Sequence, residues 1–287
     1  MGLHTGRGKE ARRTGRSDCF VLICAPGETG WEVKMLAGKG FAFRRGGGVG
    51  RLLLAGTIAA ALGAGAALGA DCPAPRQPNL PDAGQPVNLG LIKSQLREYH
   101  TAAYMRDLAD VIADAQSHVA QRAANVSRPA LVLDVDETAL SNWAHMQADD
   151  FGYFPGGSCE RLPKGPCGYN AWVHKHAAPA IAPTLALFDT AKTKAVAVFF
   201  VTGRDAGMRK ATIRNLHVAG YRGWSGLVTR AADDTRRPVG EYKAEARARI
   251  EAQGFTIIAN VGDQDSDLAG GYAECGFKLP NPFYFLP

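Results

Sequence analysis

Three short, uniformly apolar runs in this chain each end in a polar cluster: ALVLDVDET at 130–138, AVAVFFVTGRD at 195–205 and FTIIANVGDQDSD at 255–267. A strand with no polar face has no side to give to water, so such runs belong in a parallel sheet covered on both faces. Between the runs the apolar spacing changes to helical. Leu108, Val111, Ile112, Ala115 and Val119 recur at steps of three and four. The pattern predicts a helix over 89–124 with a break near His100-Thr101, and helices over 184–193, 209–219 and 242–253, the last two stopped by Gly220 and Gly254. Strands are predicted over 195–201, 226–229 and 255–261, beside the run that follows Pro129. Strand and helix in alternation define an α/β fold, a three-layer doubly wound parallel sheet.

In such a sheet the ligand crevice lies beyond the carboxyl ends of the strands. Asp134, Asp136, Asp263 and Asp267 should therefore meet there. Gathered carboxylates repel one another unless a cation neutralises them, and Mg²⁺ suits an all-oxygen site. A cation, a hydroxyl and backbone amides together suit a phosphate group.

Charge separates the chain into two materials. Residues 1–70 hold ten Lys/Arg and four Asp/Glu, a net of +6, whereas the rest hold 33 − 10 = 23 basic and 27 − 4 = 23 acidic residues. The whole formal excess is thus in the leader, and a nucleic-acid polymer loses its electrostatic case as a partner. Leu52–Ala70 carries no charge, follows Lys39, Arg44, Arg45 and Arg51, and ends in small residues. That order is the layout of a signal peptide, expected over 35–70, with an uncleaved anchor as the competing reading. Membrane contact is expected only through this segment, and the mature chain is expected to be periplasmic or secreted. Residues 1–34 are expected to be a spurious or disordered extension, with translation starting at Met35. Residues 71–88 read as an extended tail and 89–287 as the folded domain. Of the exported cysteines Cys72, Cys159, Cys167 and Cys275, the middle two lie close together in a Gly/Pro-rich stretch and invite a local disulfide.

The ordered motifs LVLDVDETALSN, VFFVTGR, EYKAEARARI, VGDQDSDL and FKLPNPFYF resemble the haloacid dehalogenase superfamily. Within it the chain is most similar to the secreted acid phosphatases, the group of bacterial class B and C enzymes and plant vegetative storage proteins. The resemblance spans Leu89 to Pro287, and a small insertion separates the first and second motifs. It implies an acid phosphatase acting on a small phosphomonoester, with Asp134 as nucleophile and Asp136 as general acid and base. Two residues apart on an extended segment, the pair point to the same side. Thr202, Gly203 and Lys243 would hold the phosphate. Mg²⁺ would bind the Asp134 carboxylate, the Asp136 carbonyl and Asp263, with Asp267 as a ligand or orienting group. Some relatives are noncatalytic storage proteins and others in the superfamily transfer phosphate to alcohols. The intact aspartates favour hydrolysis.

Other residues have plainer readings. Arg236, Arg237 and Arg247 compete with Lys243 for the cationic role. Arg204 is a salt-bridge partner or a substrate contact. Asp265, where plant relatives carry Trp, reads as a solvated loop residue. His174 and His176 read as a packed or solvated pair rather than a zinc site. Trp143, Tyr153 and Trp172 belong to the core or to a pocket wall. Neither the particular phosphomonoester nor the oligomeric state is encoded in a motif.

Overall fold

A computed structural model describes residues 23–27, 30–34, 86–234 and 236–286. The chain divides into two units, Met1–Gly65 and Ala66–Pro287. In the first, strands β1 (Ile23–Gly27) and β2 (Gly30–Lys34) pair antiparallel as a hairpin. The expected signal segment, Cys72 and most of the expected tail lie outside the described residues.

The second unit is built on five parallel strands: β3 (Pro129–Leu133), β4 (Ala197–Asp205), β5 (Gly226–Arg230), β6 (Thr256–Gly262) and β7 (Cys275–Lys278). Their order is β5-β4-β3-β6-β7. Helices α1 (Leu89–Tyr99), α2 (Met105–Arg122), α3 (Trp143–Ala148), α4 (Tyr169–Lys175), α5 (Ala182–Thr193), α6 (Arg209–Val218), α7 (Val239–Glu251) and α8 (Asp265–Leu268) complete it. Among the described residues no helix is long and apolar enough to cross a membrane.

Alternate strand residues feed opposite cores, as the period of two requires. Leu131, Leu133, Val198, Phe200 and Ile258 pack with Leu108, Ile112, Ala115 and Val119 of α2 and Leu187 and Phe188 of α5. Ala130, Val132, Phe199, Val201 and Ile257 pack with Ala246 and Ile250 of α7 on the other face. Each fully buried Leu or Phe contributes about 1.5–3 kcal/mol of transfer free energy, which is why the central strands are mostly apolar.

The first helix region departs from its expected break in an instructive way. His100–Tyr104 forms a π turn joining α1 to α2, and the Thr101 hydroxyl donates to the carbonyls of Arg97 (3.1 Å) and Glu98 (2.9 Å). The back-bonding hydroxyl loosens the α-helical ladder without ending it. β4 also runs past its expected end, because Asp205 pairs with Arg230 of β5 after a register shift. β7 had no sequence prediction: four residues with one glycine carry too little periodicity.

The chain leaves β3 toward β4 and β5, and leaves β6 toward β7. β3 and β6 are neighbours whose exits diverge, so the crevice opens between their carboxyl ends. The amide of Asp134 donates to the Val261 carbonyl at 3.0 Å and ties the two exits together.

Candidate active site

A cavity of about 550 Å³ sits over that crevice, lined among others by Asp134, Asp136, Gly203, Lys243, Asp263 and Asp267. Of the expected site residues, only Thr202 stands behind the wall. It is fully buried and its hydroxyl accepts the Arg204 amide at 3.2 Å.

Lys243, on α7, reaches the floor with 4% of its surface exposed. Its Nζ is 2.5 Å from Asp134 Oδ1 and also bonds Asp267. Burial alone would lower the ammonium pKa, but the two carboxylates outweigh it and hold it above its ordinary value. Burial likewise pushes Asp134 well up; Lys243 opposes the rise while Asp267, Asp263 and Asp136 add to it. Of the competing arginines, Arg236 is exposed and the other two are occupied elsewhere. Arg237 pairs with Asp234 and Glu245. Arg247 donates to the carbonyls of Asp267 at 2.6 Å and Gly271 at 2.8 Å, bracing the loop under α8.

Asp134, Asp263 and Asp267 each offer an oxygen within 4.8 Å of the others, and all three are buried. Hard carboxylate oxygens at this spacing fit a hard divalent cation. Asp263 accepts from the Thr138 hydroxyl (3.0 Å), Gln264 Nε2 (2.8 Å) and Asn281 Nδ2 (2.6 Å). Burial and then Asp267 still push its carboxyl up to about 6, against the pull of those donors. The second oxygen of Asp267 accepts the Gln264 amide at 2.8 Å, closing a reciprocal cap on α8. Gly262 permits this approach: a Cβ there would lie 2.3 Å from Asp267 Cβ.

Asp136 has a different environment. Burial raises its carboxyl, but the charge and hydrogen bonds of Arg204, helped by Asn142 and Tyr169, bring it below the ordinary carboxylate value. Asn142 Nδ2 donates to Oδ1 at 2.8 Å. Beside it, Glu137 is turned inward by a left-handed backbone (φ 53°) and accepts the Asn142 amide at 2.5 Å. Burial and the Asp136 charge push Glu137 up to about 8.

Thr138, Asn142, Gln264, Asn281 and Tyr284 were not singled out from the sequence. Tyr284 Oη stands 3.3 Å from Glu137 Oε2. FKLPNPFYF, which holds Asn281 and Tyr284, was noted only as a motif. Asp265 is exposed, as expected, but it begins helix α8 rather than lying in a loop. The insertion aromatics divide. Trp172 is buried and donates to Asn142 Oδ1 at 2.7 Å, Trp143 stacks on His100 at 3.6 Å between ring centres, and Tyr153 lines the cavity. Cys159 and Cys167 form the expected local disulfide.

A parallel three-layer sheet with a paired DxD, a buried lysine and two more aspartates at its switch point is a haloacid dehalogenase-type α/β protein. The family model described as HAD superfamily, subfamily IIIB (acid phosphatase) matches residues 87–287, and the chain belongs to that family. It is 35% identical over 160 residues to "Acid phosphatase 1" of Solanum lycopersicum, covering 55% of this chain and 60% of that one. It is 33% identical over 158 residues to "Stem 28 kDa glycoprotein" of Glycine max, covering 54% and 59%. The chain therefore spans about 60% of the length of these curated relatives. The fold is shared with the class C acid phosphatase from Bacillus anthracis, at a TM-score of 0.54 and 21% identity over 69% of this chain and 87% of that one.

Proposed function

We propose that the protein is an acid phosphatase that hydrolyses small phosphomonoesters through an aspartyl-phosphate on Asp134. The supporting observation is the Asp134 carboxylate, which lines the cavity 2.5 Å from Lys243, with Asp136 lining the same cavity. The carboxylate attacks phosphorus as Asp136 gives a proton to the departing alkoxide. Asp136 then takes a proton from water, which attacks the same phosphorus and returns Asp134 and free phosphate. Lys243 offsets charge on the phosphoryl group, and the Gly203 amide, with Thr202 supporting the turn, faces its oxygens. Asp134, Asp263 and Asp267, together with the Asp136 carbonyl, would hold Mg²⁺, which when bound supplies positive charge to the phosphoryl oxygens. The signal-like leader and the Cys159–Cys167 disulfide support export to an oxidising compartment.

The test is phosphate release by the full chain from an aryl phosphate, with Mg²⁺ and with chelator. Asp134→Asn should lose at least about a thousandfold in kcat while keeping its fold. Abundant release by that variant overturns the nucleophile, and no release by the wild type favours a noncatalytic storage role. A new phosphoester on adding an acceptor alcohol would mark a transferase.

A further inference from the structure

Asp136 is held from two sides, and the second hold comes from the segment between β3 and β4. Arg204 reaches both carboxylate oxygens, Oδ1 through Nη2 at 2.6 Å and Nε at 3.1 Å, and Oδ2 through the same Nε at 3.0 Å. Asn142 adds its Nδ2 to Oδ1 at 2.8 Å. The described hydrogen bonds thus crowd Oδ1, whereas Oδ2 has one N–H that it shares. Because Arg204 Nε serves both oxygens, the arginine by itself lets the carboxylate rock about its Cβ–Cγ bond. Asn142 reaches Oδ1 alone and opposes that motion.

The Asn142 amide is itself fixed. The residue is 3% exposed. Its Nδ2 also donates to Glu137 Oε2 at 2.9 Å, and its backbone amide donates to Glu137 Oε1 at 2.5 Å. Its Oδ1 accepts from Trp172 Nε1 at 2.7 Å, 30 positions away on α4. An indole N–H only donates, so it pairs with the amide oxygen and never with the amide nitrogen. Trp172 thereby decides which way the Asn142 amide faces and turns its NH₂ to the carboxylates. A flipped amide would set an oxygen against two carboxylates and an NH₂ against the indole N–H, leaving buried polar groups unpaired. Trp172 is buried in turn, and its backbone amide donates to the Gly168 carbonyl at 2.9 Å, one residue beyond the Cys159–Cys167 bridge.

We propose that Asn142, its amide oriented by Trp172, is a positioning residue for the leaving-group acid Asp136: it anchors Oδ1 and leaves Oδ2 to face the leaving oxygen. The inference rests on the phosphatase reading above. As an Asp134 oxygen bonds to phosphorus, the bond from phosphorus to the leaving oxygen breaks. The leaving oxygen keeps that electron pair and takes the proton from Oδ2, which keeps the pair of its O–H bond. Trp172 gives the insertion a part in this step through Asn142.

Proton donation matters most for a poor leaving group. A nitrophenolate departs with little help, whereas an alkoxide must be protonated as it leaves. kcat/KM of the full chain is measured for 4-nitrophenyl phosphate and for an alkyl phosphate, at the optimum pH of each variant. The inhibition constant of inorganic phosphate reads ground-state binding. Trp172→Phe keeps an aromatic ring and removes the N–H. It is expected to lower kcat/KM about fivefold for the alkyl phosphate and less than about twofold for the nitrophenyl ester, with phosphate inhibition unchanged. Asn142→Ala should give the same split, about tenfold against less than about threefold. The combined variant should fall less than about twofold below Asn142→Ala, since both changes act through one amide.

Equal losses on the two substrates, no loss in either single variant, a matching loss of phosphate inhibition, or multiplying losses in the combined variant overturn the proposal. Asn142→Ala also strips Trp172 and Glu137 of a partner; if it fails to fold, the substrate split in Trp172→Phe decides alone. No release by the wild type from either ester removes the phosphatase reading and this inference with it. Release without a split removes only the inference.

Discussion

The Arg204 guanidinium lies along the Asp136 carboxylate, joining residues 68 apart in sequence, with the arginine side chain 1% exposed and the aspartate 18%. A buried pair of this geometry is costly to break, because the survivor is left charged without a partner. It also keeps Asp136 ionised at pH values where an ordinary carboxyl would begin to take up a proton.

That relationship carries a sign for the pH profile. In the proposed mechanism the first step needs Asp136 protonated, so kcat/KM should fall as pH rises through a pKa below the ordinary carboxylate range. Arg204→Gln removes the first force holding that pKa down. Its falling limb should move to higher pH and its maximal rate should drop. A limb that stays in place would show that Asp136 is not the titrating acid.

Asp263 makes the cation's effect pH-dependent. Its carboxyl is pushed up to about 6, against about 4 for an exposed aspartate. Between those values the folded chain holds more protons than the unfolded one, so this group's contribution to stability falls as pH rises. A bound cation relieves that loss only where the carboxylate is ionised. The gain in Tm on adding Mg²⁺ over chelator should therefore grow from about pH 4 to about pH 7. A gain that is flat with pH would exclude Asp263 from the site.

Lys243→Met leaves Asp134 and Asp267 buried and facing each other without a counter-charge. Loss of one partner of a buried charge cluster costs about 3–5 kcal/mol. Denaturant unfolding in chelator should show a loss of that size, and Mg²⁺ should restore part of it. Phosphate release should be lost in both conditions.

Gly262→Ala places a Cβ 2.3 Å from that of Asp267. Overpacking of this kind costs about 1–3 kcal/mol and displaces the aspartate. The variant should lose Mg²⁺-dependent stabilisation along with phosphate release. Gly276→Ala is the control, since its Cβ would meet Leu268 at an ordinary 3.5 Å and both properties should persist.

Much of the scaffold was legible because burial on two faces leaves a strong local mark. The apolar runs at 130–133, 197–201 and 256–261 stood out for that reason, and the aspartates following them located the crevice. The same reasoning was silent on β7 and the short helices α3 and α4, whose segments are too brief for a period to form. It also left Arg204 undecided, because a guanidinium in a motif looks alike whether it faces a substrate or a carboxylate. Thr202 shows the reverse case: its residue type suits a phosphate, but its hydroxyl is turned to the Arg204 amide.

From sequence alone came the class of fold, the crevice and the aspartates at its floor, which follow from periodicity, charge and order along each strand, whereas Lys243 was picked out among the nearby arginines only by the family resemblance. Tertiary structure alone decided the pairing of those groups. Thr138 meets Asp263 across 125 positions, Lys243 separates Asp134 from Asp267, and Arg204 rather than a substrate takes Asp136. Such contacts depend on strand register and on how far each helix end reaches over the sheet, and no local pattern of residues encodes either.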